Sequence, residues 1–403
     1  MKNNKKSIEE KIWDFINKHA NTIFFLIITI LALIARIKLF KYPSGDYDMF
    51  LKPWFDELKT YGGFSALGRN IGNYTPIYMT ILAFLTYLPI DSLVSIKIVS
   101  VIFDYVGGIY IIKIVRELLS KNKNKEKISL IIYAFYMFLP TIFINSAYWA
   151  QSDNIYTSFV LISLYYLLKN DFSKGILFWS IAFSFKFQAI FIFPIYILMY
   201  ISNRKIKIKN FLIIPTVIFV MSIPKMIFTH NIFEGFKIYF DQSNTYSQYL
   251  TLNLPNVYSI FMRGYTDNNP NLVEARIQEM GTIGIIATII IFAVIAFIVY
   301  SKKIKFEKES IIEFSLWSIL IATFFLPQMH ERYLFMGDVI GLLYIIINKK
   351  KYYIPILIEL ISLNGYMYLL FSGGAVNFSL VSITFFIMLI LYSKEMYHKY
   401  FEE

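Results

Sequence analysis

The chain has 403 residues, of which 57% are hydrophobic, 19% aromatic and only 16% charged, with a net charge of +12. Soluble domains carry about 25% charged residues, so this composition excludes an ordinary water-soluble fold, and it is too apolar for a disordered chain. There is no cysteine, which excludes disulfides, thiol catalysis and thiolate metal sites.

In chain order, the basic stretch "MKNNKKSIEEKIWDFINKHA" leads into a first apolar run at 22–40. It lacks the short core and small-residue cleavage site of a signal peptide, so it reads as an uncleaved span. About 20 apolar residues cross a bilayer. Further candidates are 94–117, 128–145, 153–168, 211–229, 281–300, 310–327, 333–348, 353–370 and 378–393, while 76–90 and 175–202 are ambiguous.

The basic clusters resolve both. They lie at the N-terminus and at 121–127, 203–209, 302–309 and 349–351, and Lys and Arg are enriched in cytoplasmic loops. All fall on one side if 76–90, bracketed by Pro76 and Pro89, is a juxtamembrane helix. They also require 175–202 to be two short spans with Lys186 and Gln188 at the turn. A single span would place Lys186 near the bilayer centre, at a cost of at least ~2.5 kcal/mol. The expected fold is an all-α polytopic membrane protein of about 12 transmembrane helices with extracytoplasmic juxtamembrane helices. Residues 1–403 form one integral-membrane domain, with extracytoplasmic loops at 41–93 and 230–280, cytoplasmic termini and a place in the cell membrane. Clusters set between apolar runs mark topology, so no nucleic-acid partner is expected.

This threading puts the unusual polar motifs on the extracytoplasmic face. "GDYDMFLKPW" places Asp46 and Asp48 where the chain leaves the first span, ahead of an amphipathic stretch anchored by Trp54. A carboxylate there is placed to take a proton from a hydroxyl beside the membrane. The "DYD" triplet also matches a metal-holding pattern, but no α/β domain accompanies it, so no metal or other cofactor is favoured. "LPQMHERYLF" sets His330, Glu331 and Arg332 at the mouth of a span. Arg offers a planar fork for phosphate oxygens, whereas the plainer reading is interfacial anchoring. "YWAQSDNIY" and "FSFKFQ" supply Gln151, Asp153, Lys186 and Gln188. Asp153 and Lys186 read equally as a structural pair and as substrate contacts. Asp104, deep in 94–117, reads as structural. Lys237 and Arg263 are candidate phosphate contacts in the long loop.

These motifs, in this order, resemble the GT-C glycosyltransferases, polytopic enzymes that use polyprenyl-phosphate sugars, and most of all bacterial and archaeal relatives of the GPI mannosyltransferases. "GDYD" is similar to the "GDYE" of the eukaryotic dolichol-linked glucosyltransferases, "NYTPIY" to the stretch opening the family's juxtamembrane helix, with Tyr74 in it, and "WAQSDNIY" to the family's "WGQxDSxY", with Ala150 in place of glycine. "FKFQ" resembles "KPQ", and "MHERYLF" is close to the family's own run. The resemblance implies inverting transfer of a hexose, mannose favoured, from a polyprenyl-phosphate sugar to a hydroxyl on a glycan, lipid or protein acceptor. It implies Asp46 as the base, His330 and Arg332 on the donor phosphate, and membrane lipids as partners. The competing expectations are a lipid-linked glycan transporter or flippase, and a glycan polymerase or ligase.

Overall fold

The computed structural model describes residues 7–241, 248–261, 270–371 and 376–402; the side chains of residues 240 and 270–275 are outside the description, as is Arg263. The chain folds as an all-helical, multi-pass membrane protein. Its first helix, α1 (Ile8–Leu39), opens with a reciprocal capping box between Ser7 and Glu10. A π-helical turn at Tyr47–Leu51 leads into α2 (Lys52–Thr60), followed by α3 (Pro76–Leu85), α4 (Ser92–Leu118) and α5 (Lys125–Phe138). The short α6 (Pro140–Phe143) and a second π-helical turn (Ile144–Tyr148) precede α7 (Asp153–Leu168), α8 (Phe172–Phe185), α9 (Phe193–Ser202), α10 (Ile213–Thr229) and α11 (Glu234–Asp241). Then come β1 (Thr251–Leu252), α12 (Val257–Phe261), α13 (Pro270–Ser301), α14 (Lys308–Phe325), β2 (Met329–His330), α15 (Phe335–Ile347), α16 (Tyr353–Phe371) and α17 (Phe378–Phe401).

Both ambiguous segments are short helices. α3 has ten residues, about 15 Å of helix, which does not cross a hydrocarbon core of about 30 Å. Pro76 opens it, and Thr75 before the proline is extended. Segment 175–202 breaks at Lys186, whose backbone is extended between α8 and a 3₁₀ turn at Phe187–Ile192.

Among the described residues, six helices are long and apolar enough to span a membrane, or seven if α5 and the segment Pro140–Tyr148, bent by 50°, count as one span. The expected count of about 12 is not reached by this measure. The remaining candidates are too short or too charged for it: α8 and α15 have 14 and 13 residues, and α14, which is buried against protein from Ser310 to Phe324, carries Lys308, Glu309 and Glu313. By contrast, α1, α10 and α13 present rows of exposed Ile, Leu and Phe. The expected 230–280 loop contains α11 and α12, and α13 begins at Pro270 rather than 281.

Two cores form. The large one joins α4, α5, α7–α9 and α14–α17. The smaller one collects Tyr47, Leu51, Phe55, Leu58, Leu67 and Tyr78 from residues 41–93 and closes on Ile96, Ala150 and Ile155. At their junction Arg36 Nε lies 2.7 Å from Asp104 Oδ2, both fully buried, and Ser146 and Asn154 also donate to that carboxylate. Asp104 thus ties α1, α4, the second π turn and α7 together.

Candidate functional site

Lys97, buried on α4, donates to the carbonyls of Leu39, Phe40 and Tyr42 at 2.6–3.3 Å, closing the C-terminal end of α1 and steering the chain into Ser44. Ser44 Oγ donates to the Trp149 carbonyl (2.7 Å) and accepts from the Tyr47 amide (3.2 Å). This holds Asp46 against the segment 149–151. Its Oδ2 accepts from Trp149 Nε1 (3.1 Å) and Gln151 Nε2 (2.7 Å). Tyr74 OH donates to Gln151 Oε1 at 3.2 Å.

Ala150 makes this arrangement possible by adopting a left-handed backbone, φ 63°, between Trp149 and Gln151. Gln328, just before the second motif, is also left-handed at φ 63°. Its amide donates to Leu250 O, and β1 pairs with β2 in parallel, Leu252 against His330. That two-residue ribbon fixes His330–Arg332. Gly365 on α16 lets it come close: a Cβ there would stand 2.7 Å from Glu331 Cβ and from the Asn253 carbonyl.

Asp153, the first residue of α7 and fully buried, is the hub. Its Oδ1 accepts from Lys186 Nζ (2.5 Å), its Oδ2 from Asn145 Nδ2 (3.0 Å), and Arg332 Nε lies 3.8 Å from Oδ2. A carboxylate at a helix N-terminus also gains from the helix dipole. Arg332 NH1 donates to Glu331 Oε1 at 2.7 Å, stands 3.7 Å from Asp46 Oδ2, and the guanidinium lies 5.4 Å from the Trp149 ring. Arg332 Nε is buried without a hydrogen-bond partner, as is Gln188 Oε1.

Burial sets the protonation of the second motif. It pushes the His330 imidazole below its usual value; Glu331 opposes this and Arg332 adds to it. Burial resists ionisation of Glu331, but the neighbouring His330 and Arg332 outweigh it and hold the carboxyl below the usual range. Burial also works against the Arg332 charge, which the surrounding Glu331, Asp153 and Asp46 secure. The cleft therefore contains a permanent cation and a neutral imidazole at neutral pH.

Two cavities adjoin here, sharing Asn73, Tyr74, His330 and Arg332. One, about 240 Å³, is lined by Asp46, Phe50, Trp54, Gln151 and Glu331. The other, about 280 Å³, has Lys186 and Gln188 among Phe185, Phe187, Phe191 and Ile285. The structure thus brings together Asp46, Tyr74, Gln151, Asp153, Lys186, Gln188, His330, Glu331 and Arg332. Asp48 is not among them: it is exposed and lines neither cavity. Lys237 lines a separate cavity beside α10. Sequence reasoning missed Trp149 and Asn145; Trp149 stood inside a quoted motif, but Asn145 gave no signal because its partner lies across a π turn. Among the described residues no group of three His, Asp or Glu side chains is arranged to hold a metal ion.

The family model for PIG-U, the GPI transamidase subunit, matches residues 61–272, just over half of the chain. The chain belongs to the PIG-U family. No curated protein matches it. The PIG-U match runs through Tyr74, Gln151, Asp153, Lys186 and Gln188, while Asp46 and His330–Arg332 lie outside it. It overturns the expected glycosyltransferase activity: the matching family is described as a GPI transamidase subunit. The physical reason is that one fold hosts unrelated functions, so motifs resembling those of an enzyme class do not by themselves carry its reaction.

Proposed function

We propose that this PIG-U family member is a non-catalytic membrane subunit that captures the phosphate-bearing headgroup of a lipid in the paired cavities and holds it for a partner enzyme. One observation carries this reading: a polar cavity and an aromatic, apolar cavity meet at Arg332 and His330, with Lys186 on the apolar side. Arg332 retains an unpaired buried N–H, and a phosphate oxygen satisfies such a donor in a charge-assisted bond. The apolar cavity suits the first carbons of a lipid tail, polyprenyl or acyl. The basic clusters support cytoplasmic termini and an extracytoplasmic cleft, in a protein of the cell membrane; about 12 crossings result if α7, α8, α9, α14 and α15 span in addition to the seven. Residues 41–93 then form an extracytoplasmic cap. No cofactor enters this reading.

The test is native mass spectrometry of the purified full-length protein titrated with dioleoyl phosphatidic acid and with polyprenyl monophosphate. Retention of at least one, lost by about tenfold or more in Arg332→Gln, is expected for a charge-assisted contact. Equal retention by the variant would reject the cleft as the phosphate site.

A further inference from the structure

The separate cavity beside α10, about 90 Å³, lies between the extracytoplasmic cap and the α10–α11 pair. A buried water needs about 10–15 Å³ of such space, so there is room for a group of several heavy atoms. It shares Tyr74 with the paired cavities but is lined by neither Arg332 nor Lys186. Three cations from three segments converge on it: Arg69 from the cap, Lys225 from α10 and Lys237 from α11. Lys225 sits about one turn before the end of a helix long and apolar enough to span the membrane, where a charged side chain is costly without a partner. Its Nζ donates to the Arg69 carbonyl at 2.7 Å, which uses one of its three N–H groups. Among the described residues no carboxylate lies within ion-pair distance of it. The other two cations are held loosely. Arg69 Nε is 3.8 Å from Glu57 Oε1, with its guanidinium 3.7 Å from the Tyr61 ring centre, and Lys237 Nζ is 3.8 Å from Glu234 Oε1. Both pairs are solvent-exposed and longer than a hydrogen bond, so each contributes little.

Glu234, Lys237, Ile238 and Asp241 share one face of α11, so the lining also carries carboxylates, which oppose a dianion more than a monoanion. Beyond Lys225 the chain is apolar and open: Ile227, Phe228, Ile232 and Phe233 are exposed, Phe233 by 80%. Exposed apolar side chains at the end of a spanning helix lie at the level of the lipid headgroups. We propose that this cavity binds the phosphodiester of a membrane phospholipid, a monoanion that accepts hydrogen bonds from Lys225, Arg69 and Lys237 and so fastens the cap to α10 and α11. This lipid is a second one, and its site does not depend on the headgroup reading of the paired cavities.

The probe is dioleoyl phosphatidylglycerol, with dioleoylglycerol as the same tails without phosphate, added in detergent to the full-length protein carrying Arg332→Gln. Native mass spectrometry is expected to show one retained phosphatidylglycerol, and the thermal unfolding midpoint should rise with its concentration. Adding Lys225→Met or Lys237→Gln lowers retention about tenfold, the scale of one charge-assisted hydrogen bond, while Lys225→Arg keeps it. Lys237 is exposed and weakly paired, so Lys237→Gln leaves the lipid-free midpoint unchanged and separates lost binding from lost folding. Equal stabilisation by dioleoylglycerol, retention that survives both substitutions, or no retained phosphatidylglycerol overturns the site. Because every arm carries Arg332→Gln, such a failure leaves the reading of the paired cavities standing. Glycerophosphoglycerol, the same phosphodiester without tails, is expected to compete poorly; full displacement at equal concentration overturns the lipid source.

Discussion

Lys186 Nζ stands 2.5 Å from Asp153 Oδ1, joining the break after α8 to the first turn of α7, with the carboxylate fully buried and the lysine side chain 12% exposed. The pair brackets the site from behind: Asp153 also receives Asn145 and faces Arg332, while Lys186 lines the apolar cavity.

Removing either partner strands a buried charge. Lys186→Met and Asp153→Asn are each expected to destabilise the protein by ~3–5 kcal/mol. The double variant should lose less than the sum, by ~1–3 kcal/mol, because the two groups are in contact. Thermal unfolding of the purified protein across this double-mutant cycle checks it, and strict additivity would show that the pair carries no coupling.

Ala150 sits at φ 63°, where a Cβ costs ~1–2 kcal/mol and glycine pays no such penalty. After the entropy that glycine adds to the unfolded chain, Ala150→Gly is expected to stabilise by ~0.5–1 kcal/mol. Ala150→Val should do the reverse. A lower unfolding temperature for the glycine variant refutes the strain argument.

Gly365→Ala introduces a Cβ 2.7 Å from both Glu331 Cβ and the Asn253 carbonyl, neither of which has a flexible end to yield. Overpacking of this kind costs ~1–3 kcal/mol. It should also displace the His330–Arg332 turn, so lipid retention falls together with the unfolding midpoint. Unchanged retention would show that α16 does not set the position of that turn.

Acidification should destabilise the fold in two stages. A His330 imidazole held below its unfolded value of about 6.5 favours the neutral form in the fold, so its contribution is complete above that pH and is lost as pH falls through the folded value. Glu331, held below its unfolded value of about 4.3, contributes above that pH and loses the contribution as pH falls further. Unfolding midpoints measured from pH 8 to about 2 should begin to drop below about 6.5 and drop again below about 4.3. His330→Gln should flatten the upper part alone, and a profile unaltered by that substitution would remove His330 as its source.

Much of the site was legible because its motifs are polar residues at the ends of apolar runs, where each needs a reason to be there. Gln151, Asp153, Lys186 and Arg332 were found that way. The aspartate pair was not separable: Asp46 and Asp48 differ by two positions, and only the turn at Tyr47–Leu51 sends one to the cavity and the other to the surface. Asn145 and Trp149 were invisible because their importance lies in donating to residues elsewhere in the chain. The expected span count is not reached because several apolar helices, such as α8 and α15, are shorter than a bilayer crossing needs.

Composition and the spacing of apolar runs were enough to decide that this chain lives in a membrane and where its helices must break, because burying a backbone or a charge in hydrocarbon is costly whatever the partners. Tertiary structure alone decided which charges meet. A buried carboxylate is satisfied by a donor brought from a distant segment, as Lys186 and Arg332 are brought to Asp153, and no local spacing announces those pairings.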